Sequence, residues 1–176
     1  LKHRIGRKFQ GPNVFENMTA YQNIEVALYG YFSIPQTVFF RRTKEIEERV
    51  NDILRQVGLY ENGKTMACFL SHGQRQWLEM GMVIAQDPKL IILDEPTAGM
   101  TAEETAKTGH MIQEFAADHT IIVVEHDMEF VKQISNIITV MHQGTLLAEG
   151  TYEEMESNPE VARVYLKNEE VEACSM

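Results

Sequence analysis

The chain has 176 residues, enough for one domain with a substantial core, and its composition is ordinary for a globular protein apart from ten methionines. Its formal net charge of −10 argues against a broad nucleic-acid-binding surface. Two cysteines, Cys68 and Cys174, are too few for a disulfide framework and fit a reducing cytosol, and no apolar run approaches the roughly 20 residues that span a bilayer.

The first forty residues combine a short basic segment, a loop signal and an apolar stretch. Residues 2–8 are basic, and Gln10 is followed by a Gly-Pro-Asn sequence that marks a loop. Residues 18–32 are apolar and aromatic, which favours a helix that ends before Pro35.

A second helix is predicted over residues 43–57, because apolar residues recur there at helical spacing and Gly58 follows as a C-cap. Residues 58–65 then read GLYENGKT and match the P-loop pattern GxxxxGK[ST] in full. A working P-loop lies between a buried strand and a helix. Here an amphipathic helix comes before it, and only residues 65–69 separate it from Leu70, so we predict that this match is not a nucleotide site.

Residues 70–100 contain a small-residue turn, a helix and a buried strand that ends in two carboxylates. The sequence SHGQ at 71–74 precedes a helical run over 75–85, and a helix N-terminus with a flexible glycine is suited to an anion. The apolar run at 90–93 is bounded by prolines, which favours a buried parallel strand. Asp94 and Glu95 follow it, where open α/β sheets place their ligands, and they are suited to binding a metal and activating water.

Further along the chain, Thr101 and Glu104 form a capping box for a helix to about Ala117. Residues 120–124 are a second β-branched strand, followed by the sequence EHD at 125–127. A turn at 143–144 joins short strands over 137–142 and 145–149. A last helical segment runs from 151 to about 166, and an acidic tail ends the chain.

Four of these features together resemble the ABC ATPases. LSHGQ at 70–74 is similar to their signature motif, with His72 in place of the more usual glycine. Residues 90–95 resemble their Walker B strand, and His126 in VVEHDMEFV matches their switch histidine. Gln10, with the sequence FENMTAYQNI downstream, resembles the glutamine that begins their Q-loop. The resemblance covers residues 10 to about 166.

The resemblance implies ATP and Mg²⁺ as cofactors. The residues that would contact ATP are Gln10, Ser71, Gly73 and Gln74. The ligands of Mg²⁺ would be Asp94 and Gln10. For Gln10, taken alone, a solvated loop side chain is the simpler interpretation.

The resemblance also implies catalytic roles for Glu95, which would polarise the attacking water, and His126, which would steady the transition state. Two subunits would enclose two ATP molecules, with the signature residues of one contacting the γ-phosphate held by the other. A lone histidine at a strand end is more often only hydrogen-bonded. Thr101 stands where many family members carry Asp or Asn, so its role could be confined to the cap.

The implied fold is an α/β, P-loop NTPase-like ABC ATPase domain, with a RecA-like parallel sheet and a helical subdomain. Residues 14–70 would form the helical subdomain, 71–150 the rest of the core and 151–167 a C-terminal helical segment, with 168–176 a flexible tail. Family members begin with an antiparallel subdomain and the true P-loop. These would precede Gln10, so residues 1–167 are expected to be an N-terminally truncated nucleotide-binding domain without the P-loop strand.

The leading functional hypothesis is an ATP-hydrolysing subunit of a membrane importer. SHGQRQWLEMGM, DEPTAGMT and VVEHDMEFV look most like urea importers, which belong to the branched-chain amino-acid group. A second ATP-binding subunit and a permease would be partners at the cytoplasmic membrane face, with no nucleic acid. The aromatics that would suit permease docking are Tyr29, Tyr31, Phe32, Phe39 and Phe40.

Two alternatives stay open. A truncated subunit could act as a non-hydrolytic interaction module, which the missing P-loop favours. A soluble ABC ATPase of the DNA-repair or translation class is opposed by the acidic charge and by a helical subdomain of transporter length.

Overall fold

The computed structural model describes residues 4–8, 13–29 and 43–164. The chain forms two compact units, which divide between Asp127 and Met128. Within the described ranges, no helix combines the length and the apolar character needed to cross a membrane. The expected division into helical subdomain, core and C-terminal helical segment stays a prediction.

The first unit is built on a parallel sheet. Its strands, in the part of the chain that the structure describes, are β1 (Ile5–Lys8), β2 (Leu90–Asp94) and β3 (Thr120–Val124), in the order β1-β2-β3. Lys8 pairs with Leu93, and Asp94 pairs with Val124. Because the strands are parallel, their carboxyl ends meet at one edge, and the predicted buried strand lies at the centre of the three.

Three helices pack together beside this sheet: α1 (Ala20–Tyr29), α2 (Lys44–Gln56) and α3 (His72–Ala85). Ile24, Ile53 and Leu78 are fully buried among them. Gly81 permits the close approach, since a Cβ there would lie 2.8 Å from Ile24 Cδ1 and 3.3 Å from Ile53 Cγ2. A fourth helix, α4 (Ala102–Phe115), follows β2 in the chain.

The helices confirm the predicted types and correct several boundaries. The helix over 43–57 is confirmed as α2, and Gly58 has the positive φ of +66° that follows a helix C-terminus. α3 begins at His72 rather than at Arg75, because the Ser71 and Gln74 side chains form a reciprocal capping box. The predicted α4 capping box at Thr101 is confirmed, although the helix ends at Phe115.

The second unit contains an antiparallel hairpin and short helices. Its elements are α5 (Met128–Ile134), β4 (Ile138–His142), β5 (Thr145–Gly150) and α6 (Tyr152–Glu156). Gln143 and Gly144 both have positive φ, as a two-residue type I′ turn requires. Val140, Met155 and Val161 form its core.

Two sequence-based expectations for the second unit are wrong or incomplete. The last helical segment is not continuous, because residues 157–158 separate α6 from a further helical stretch over 159–164. α5 was not anticipated, since seven residues are too few for a helical period to be recognised. The tail over 168–176 lies outside the described residues.

Candidate functional site

The carboxyl ends of β2 and β3 bring together three of the predicted site residues. Asp94 is the last residue of β2, and its Oδ2 lies 3.7 Å from Arg7 Nη2. The Glu95 N–H donates to Val124 O at 2.9 Å, which fixes Glu95 against the end of β3. Glu95 Oε1 lies 3.7 Å from His126 Nδ1. The two predicted catalytic side chains therefore face each other beside the predicted metal ligand.

The backbone at Glu95 leaves the strand sharply. Its φ is +43°, in a region that residues other than glycine rarely adopt. The Ala98 N–H donates back to Glu95 O at 3.2 Å and closes a turn over 95–98. Such a backbone costs on the order of 1–3 kcal/mol and is found where surrounding contacts hold it, often at active sites. Here the hydrogen bond to β3 and the turn hold it.

Glu125 organises this edge of the sheet, although no role was predicted for it from the sequence. Its side chain is only 2 % exposed. Its Oε1 accepts from Thr97 Oγ1 at 2.7 Å and from Thr97 N at 3.3 Å, and its Oε2 accepts from His126 N at 3.2 Å. Glu125 therefore ties the turn after Glu95 to the segment that carries His126. The only sequence signal was a carboxylate directly after a buried strand.

The N-terminus of α3 carries the other half of the predicted site. Ser71 Oγ accepts from Gln74 N at 3.1 Å, and Gln74 Oε1 accepts from Ser71 N at 3.0 Å. Gly73 is buried, and a Cβ there would collide with the Glu104 carboxylate at the start of α4. The N–H groups of the first turn of α3 have no acceptor within the helix, although Ser71 Oγ accepts from that of Gln74, and the turn carries the positive end of the helix dipole, which favours an anion.

The two halves are in direct contact. His72 Nε2 lies 3.0 Å from Ala98 O, so the start of α3 is joined to the turn that follows Glu95. Of the predicted site residues, the structure therefore places Ser71, Gly73, Gln74, Asp94, Glu95 and His126 in one unit. Gln10 lies outside the described residues, and its roles toward ATP and Mg²⁺ stay predictions.

A buried ion pair lies at the end of β1. The Lys8 side chain is fully buried, and its Nζ is 3.9 Å from Glu79 Oε2 on α3. Burial lowers the pKa of the Lys8 ammonium, against the opposing charges of Glu79, Asp94 and Glu125. Burial likewise raises the pKa of the Glu79 carboxyl, against the Lys8 charge and hydrogen bonds from Asn13. Lysine is almost never fully buried unless paired, so composition could not have revealed this position.

The oxygen ligands at this edge of the sheet are better suited to an Mg²⁺ ion that is bound together with a phosphate than to a metal ion bound by the protein alone. Within the described ranges, no three His, Cys, Asp or Glu side chains are grouped so that they could hold a metal ion. Mg²⁺ usually takes one or two carboxylates and completes its shell with phosphate oxygens and water. Asp94, about one-third exposed and 3.7 Å from its arginine partner, can supply such a carboxylate.

The P-loop match at 58–65 lies in a turn between α2 and a short 3₁₀ helix, Ala67–Phe69. Its backbone N–H groups are used inside the turn: Asn62 N donates to Leu59 O, Gly63 N to Tyr60 O and Thr65 N to Asn62 O. They therefore do not converge on a phosphate. The expected context, a helix rather than a strand before the loop, is confirmed.

Lys64→Ala, made in the P-loop-containing parent protein that the resemblance implies, is accordingly expected to leave ATP turnover within about threefold of wild type. Lys64 is exposed, and substitutions of exposed residues usually change the free energy of unfolding by no more than about 0.5 kcal/mol. Steady-state ATPase assays of the two proteins measure this. Loss of ATP binding at an unchanged unfolding midpoint would contradict it.

Comparison with known proteins gives a consistent result. A family model described as ABC transporter matches residues 1–98. The chain is 38 % identical over 171 residues to LivG of Salmonella typhimurium, a high-affinity branched-chain amino acid transport ATP-binding protein, covering 92 % of this chain and 67 % of that one. It is 36 % identical over 180 residues to BraF of Pseudomonas aeruginosa, which carries the same description, with coverage of 93 % and 70 %.

Among solved structures, the ADP conformation of an ATP-binding cassette of an ABC transporter superposes with a TM-score of 0.75 at 25 % identity. The match covers 94 % of this chain and 69 % of that one. The chain thus spans about two thirds of the length of the proteins it resembles.

Proposed function

The chain belongs to the ABC transporter family and has the fold of its ATP-binding cassettes, and on this premise we propose that it is part of the ATP-hydrolysing subunit of a membrane importer. The observation that carries the proposal is the sheet edge where Asp94, Glu95 and His126 meet, joined through His72 to the N-terminus of α3.

Glu95 is the residue we assign to the attacking water. Its carboxylate orients a water molecule toward the γ-phosphorus and accepts a proton from it, as the bond from the water oxygen to phosphorus forms and the bond to the leaving ADP oxygen breaks. His126, 3.7 Å away, would orient that carboxylate and contact the γ-phosphate. Asp94 would hold Mg²⁺, which neutralises developing charge on the phosphates when bound. Correct positioning of the reacting groups supplies most of the catalysis. Here Glu125 holds these groups in place through its hydrogen bonds to Thr97 and His126.

The α3 N-terminus would act on the ATP of a second subunit. Ser71, Gly73 and Gln74 lie in the first turn or cap of the helix, where N–H groups and the helix dipole favour a phosphate. In the proposed dimer, each ATP lies between the Asp94–Glu95 edge of one copy and the α3 N-terminus of the other. The second subunit is another copy or a close relative.

The main phosphate cradle would come from residues outside this chain. Ile122 and Val124 on β3 are 49 % and 54 % exposed, and within the described ranges β3 pairs with β2 alone. An uncovered apolar strand of this kind is a position for another strand. We assign it to a P-loop strand in the full-length protein, and this agrees with the greater length of the relatives.

Permease docking is supported by exposed apolar side chains near the start of α3. Phe15, Met66 and Phe69 are 49 %, 37 % and 76 % exposed. The Thr19–Met66 bridge and the bond from Ala67 N to Met18 O hold their two segments side by side. Of the aromatics singled out in the sequence, Tyr29 is half-buried and bonds to Glu25. The other four lie outside the described residues.

The transported substrate would be a branched-chain amino acid, since LivG and BraF carry that description. Urea is the second candidate, because SHGQRQWLEMGM, DEPTAGMT and VVEHDMEFV look most like urea importers. In either case the subunit would be peripheral, on the cytoplasmic face of the membrane.

Transport by the full-length protein with its permease in proteoliposomes tests the proposal. We expect Mg²⁺- and ATP-dependent uptake of labelled leucine. A parallel assay with labelled urea decides between the two substrates. Permease binding without ATP turnover would instead identify a non-hydrolytic docking module. ATP turnover that no permease alters would identify a soluble ATPase.

A further inference from the structure

His72 is hydrogen-bonded to the loop that carries the catalytic glutamate. A carbonyl oxygen only accepts, so His72 Nε2 carries the proton it shares with Ala98 O at 3.0 Å. The Ala98 N–H in turn donates to Glu95 O at 3.2 Å. Two hydrogen bonds and one peptide unit therefore lead from the first residue of α3 to the backbone of Glu95.

Gln76 and Gly99 lie close to the His72 imidazole. Gln76 is 1 % exposed, and its Nε2 lies 3.4 Å from His72 Nε2. Gln76 Oε1 is buried without a hydrogen-bond partner among the described residues, so exchange of the two amide ends would let that oxygen share the His72 proton. Gly99, at φ +74°, brings the turn close, since a Cβ there would lie 3.3 Å from His72 Nε2.

Further contacts join α3 to α4. Trp77 Nε1 donates to Thr108 Oγ1 at 2.9 Å, and Thr108 is fully buried. Lys107 Nζ lies 4.0 Å from the centre of the Trp77 ring. Because α3 contacts the turn after Glu95 through His72 and contacts α4 through Trp77, these three segments are suited to moving as one element.

We propose that His72 is a positioning residue that couples the two ATP sites of the dimer. The inference rests on the proposed function, in which α3 of a subunit completes the ATP site of its partner while Glu95 of that subunit serves its own ATP. Engagement of α3 at one ATP then fixes, through His72 and Ala98, the turn that orients Glu95 at the other. A glycine at this position has no side chain to form the link.

The test compares ATP turnover, as a function of ATP concentration, in full-length wild-type protein, His72→Ala, His72→Gln and the control His110→Ala, which removes an exposed histidine of α4. We expect cooperative turnover in wild type. In His72→Ala, the Hill coefficient should fall toward one and kcat should fall at least about fivefold, the low end of coupling between linked sites. The Gln amide N–H can reach Ala98 O, so His72→Gln should recover both quantities to within about twofold.

The outcomes separate the inference from its premise. Wild-type Hill coefficient and kcat in His72→Ala, as in His110→Ala, would overturn the coupling role. Equal losses in His72→Ala and His72→Gln at equal unfolding midpoints would overturn it too, because the hydrogen bond would then not be the cause. Absence of Mg²⁺-ATP turnover in the wild-type protein would instead refute the proposed function itself.

Discussion

Glu95→Gln in the full-length protein is expected to lower ATP turnover by at least about 100-fold while ATP binding stays within about twofold, because a positioned general base contributes about 10²–10⁴-fold. The amide keeps the shape of the side chain and a hydrogen-bond acceptor, but it cannot take a proton from water. The glutamine can keep the contact with His126, whose Nδ1 lies 3.7 Å from Glu95 Oε1, so the affinity for ATP should be nearly unchanged.

Steady-state turnover and equilibrium ATP binding, measured on the same preparation, check this prediction. Glu114→Gln is the matched control, since Glu114 is exposed on α4. The blocked variant should also accumulate as a dimer in the presence of Mg²⁺ and ATP, because hydrolysis no longer releases it. Wild-type turnover in Glu95→Gln would assign the water-activating role to another residue.

Lys8→Met is expected to destabilise the protein by about 3–5 kcal/mol at neutral pH, the cost of leaving one charge of a buried pair alone. Glu79, 3.9 Å away and 7 % exposed, would lose its cation. The double variant Lys8→Met with Glu79→Gln should recover most of that loss, since no buried charge of the pair remains. The glutamine still offers an oxygen to the Asn13 donors that now bond the Glu79 carboxylate.

The pH dependence of the wild-type pair follows from the pKa shifts. Burial raises the pKa of Glu79, so the folded state binds more protons just above the ordinary carboxyl range, and the free energy of unfolding falls as pH rises there. Burial lowers the pKa of Lys8, so the unfolded state binds more protons just below 10.5, and the free energy of unfolding rises toward that pH.

Urea unfolding of the single and double variants at pH 7 and pH 5 measures these effects. The loss in Lys8→Met should be smaller at pH 5, where the isolated Glu79 takes up a proton more readily. Lys89→Met is the control, because Lys89 is exposed just before β2. A double variant as unstable as Lys8→Met would show that the lysine acts through something other than this pair.

Much of the first unit could be predicted from local sequence. β2 and β3 are short runs rich in β-branched residues, and the prolines and charges beside them set their ends. The capping boxes at Thr101 and Thr151 were recognisable because a Glu stands three residues after each threonine. The same capping box fixes the start of α3, with Gln74 three residues after Ser71.

The contacts that organise the site could not be predicted in this way. Glu125 binds Thr97 across 28 positions, and His72 binds Ala98 across 26, so neither pair leaves a local pattern. β1 has the sequence IGRK, whose buried lysine contradicts the usual composition of a strand. Its burial depends on Glu79, which the fold brings beside it.

The central claim is that each ATP is served by Glu95 of one copy and by the α3 N-terminus of the other, and mixed dimers test it most directly. Two tagged forms of the full-length protein can be purified as dimers in two arrangements. In the first, one copy carries Ser71→Arg and the other Glu95→Gln. In the second, one copy carries both substitutions and the other is wild type.

ATP turnover of the two purified mixed dimers is the deciding measurement. If the sites are shared between copies, the first arrangement leaves one intact site and should keep clear ATP turnover, at most about half the wild-type rate. The rate falls further if the damaged α3 no longer positions Glu95 of its own copy through His72. The second arrangement damages both sites and should be nearly inactive. The reverse order, with the second dimer active and the first inactive, would contradict the shared site and place both groups on the ATP of a single subunit.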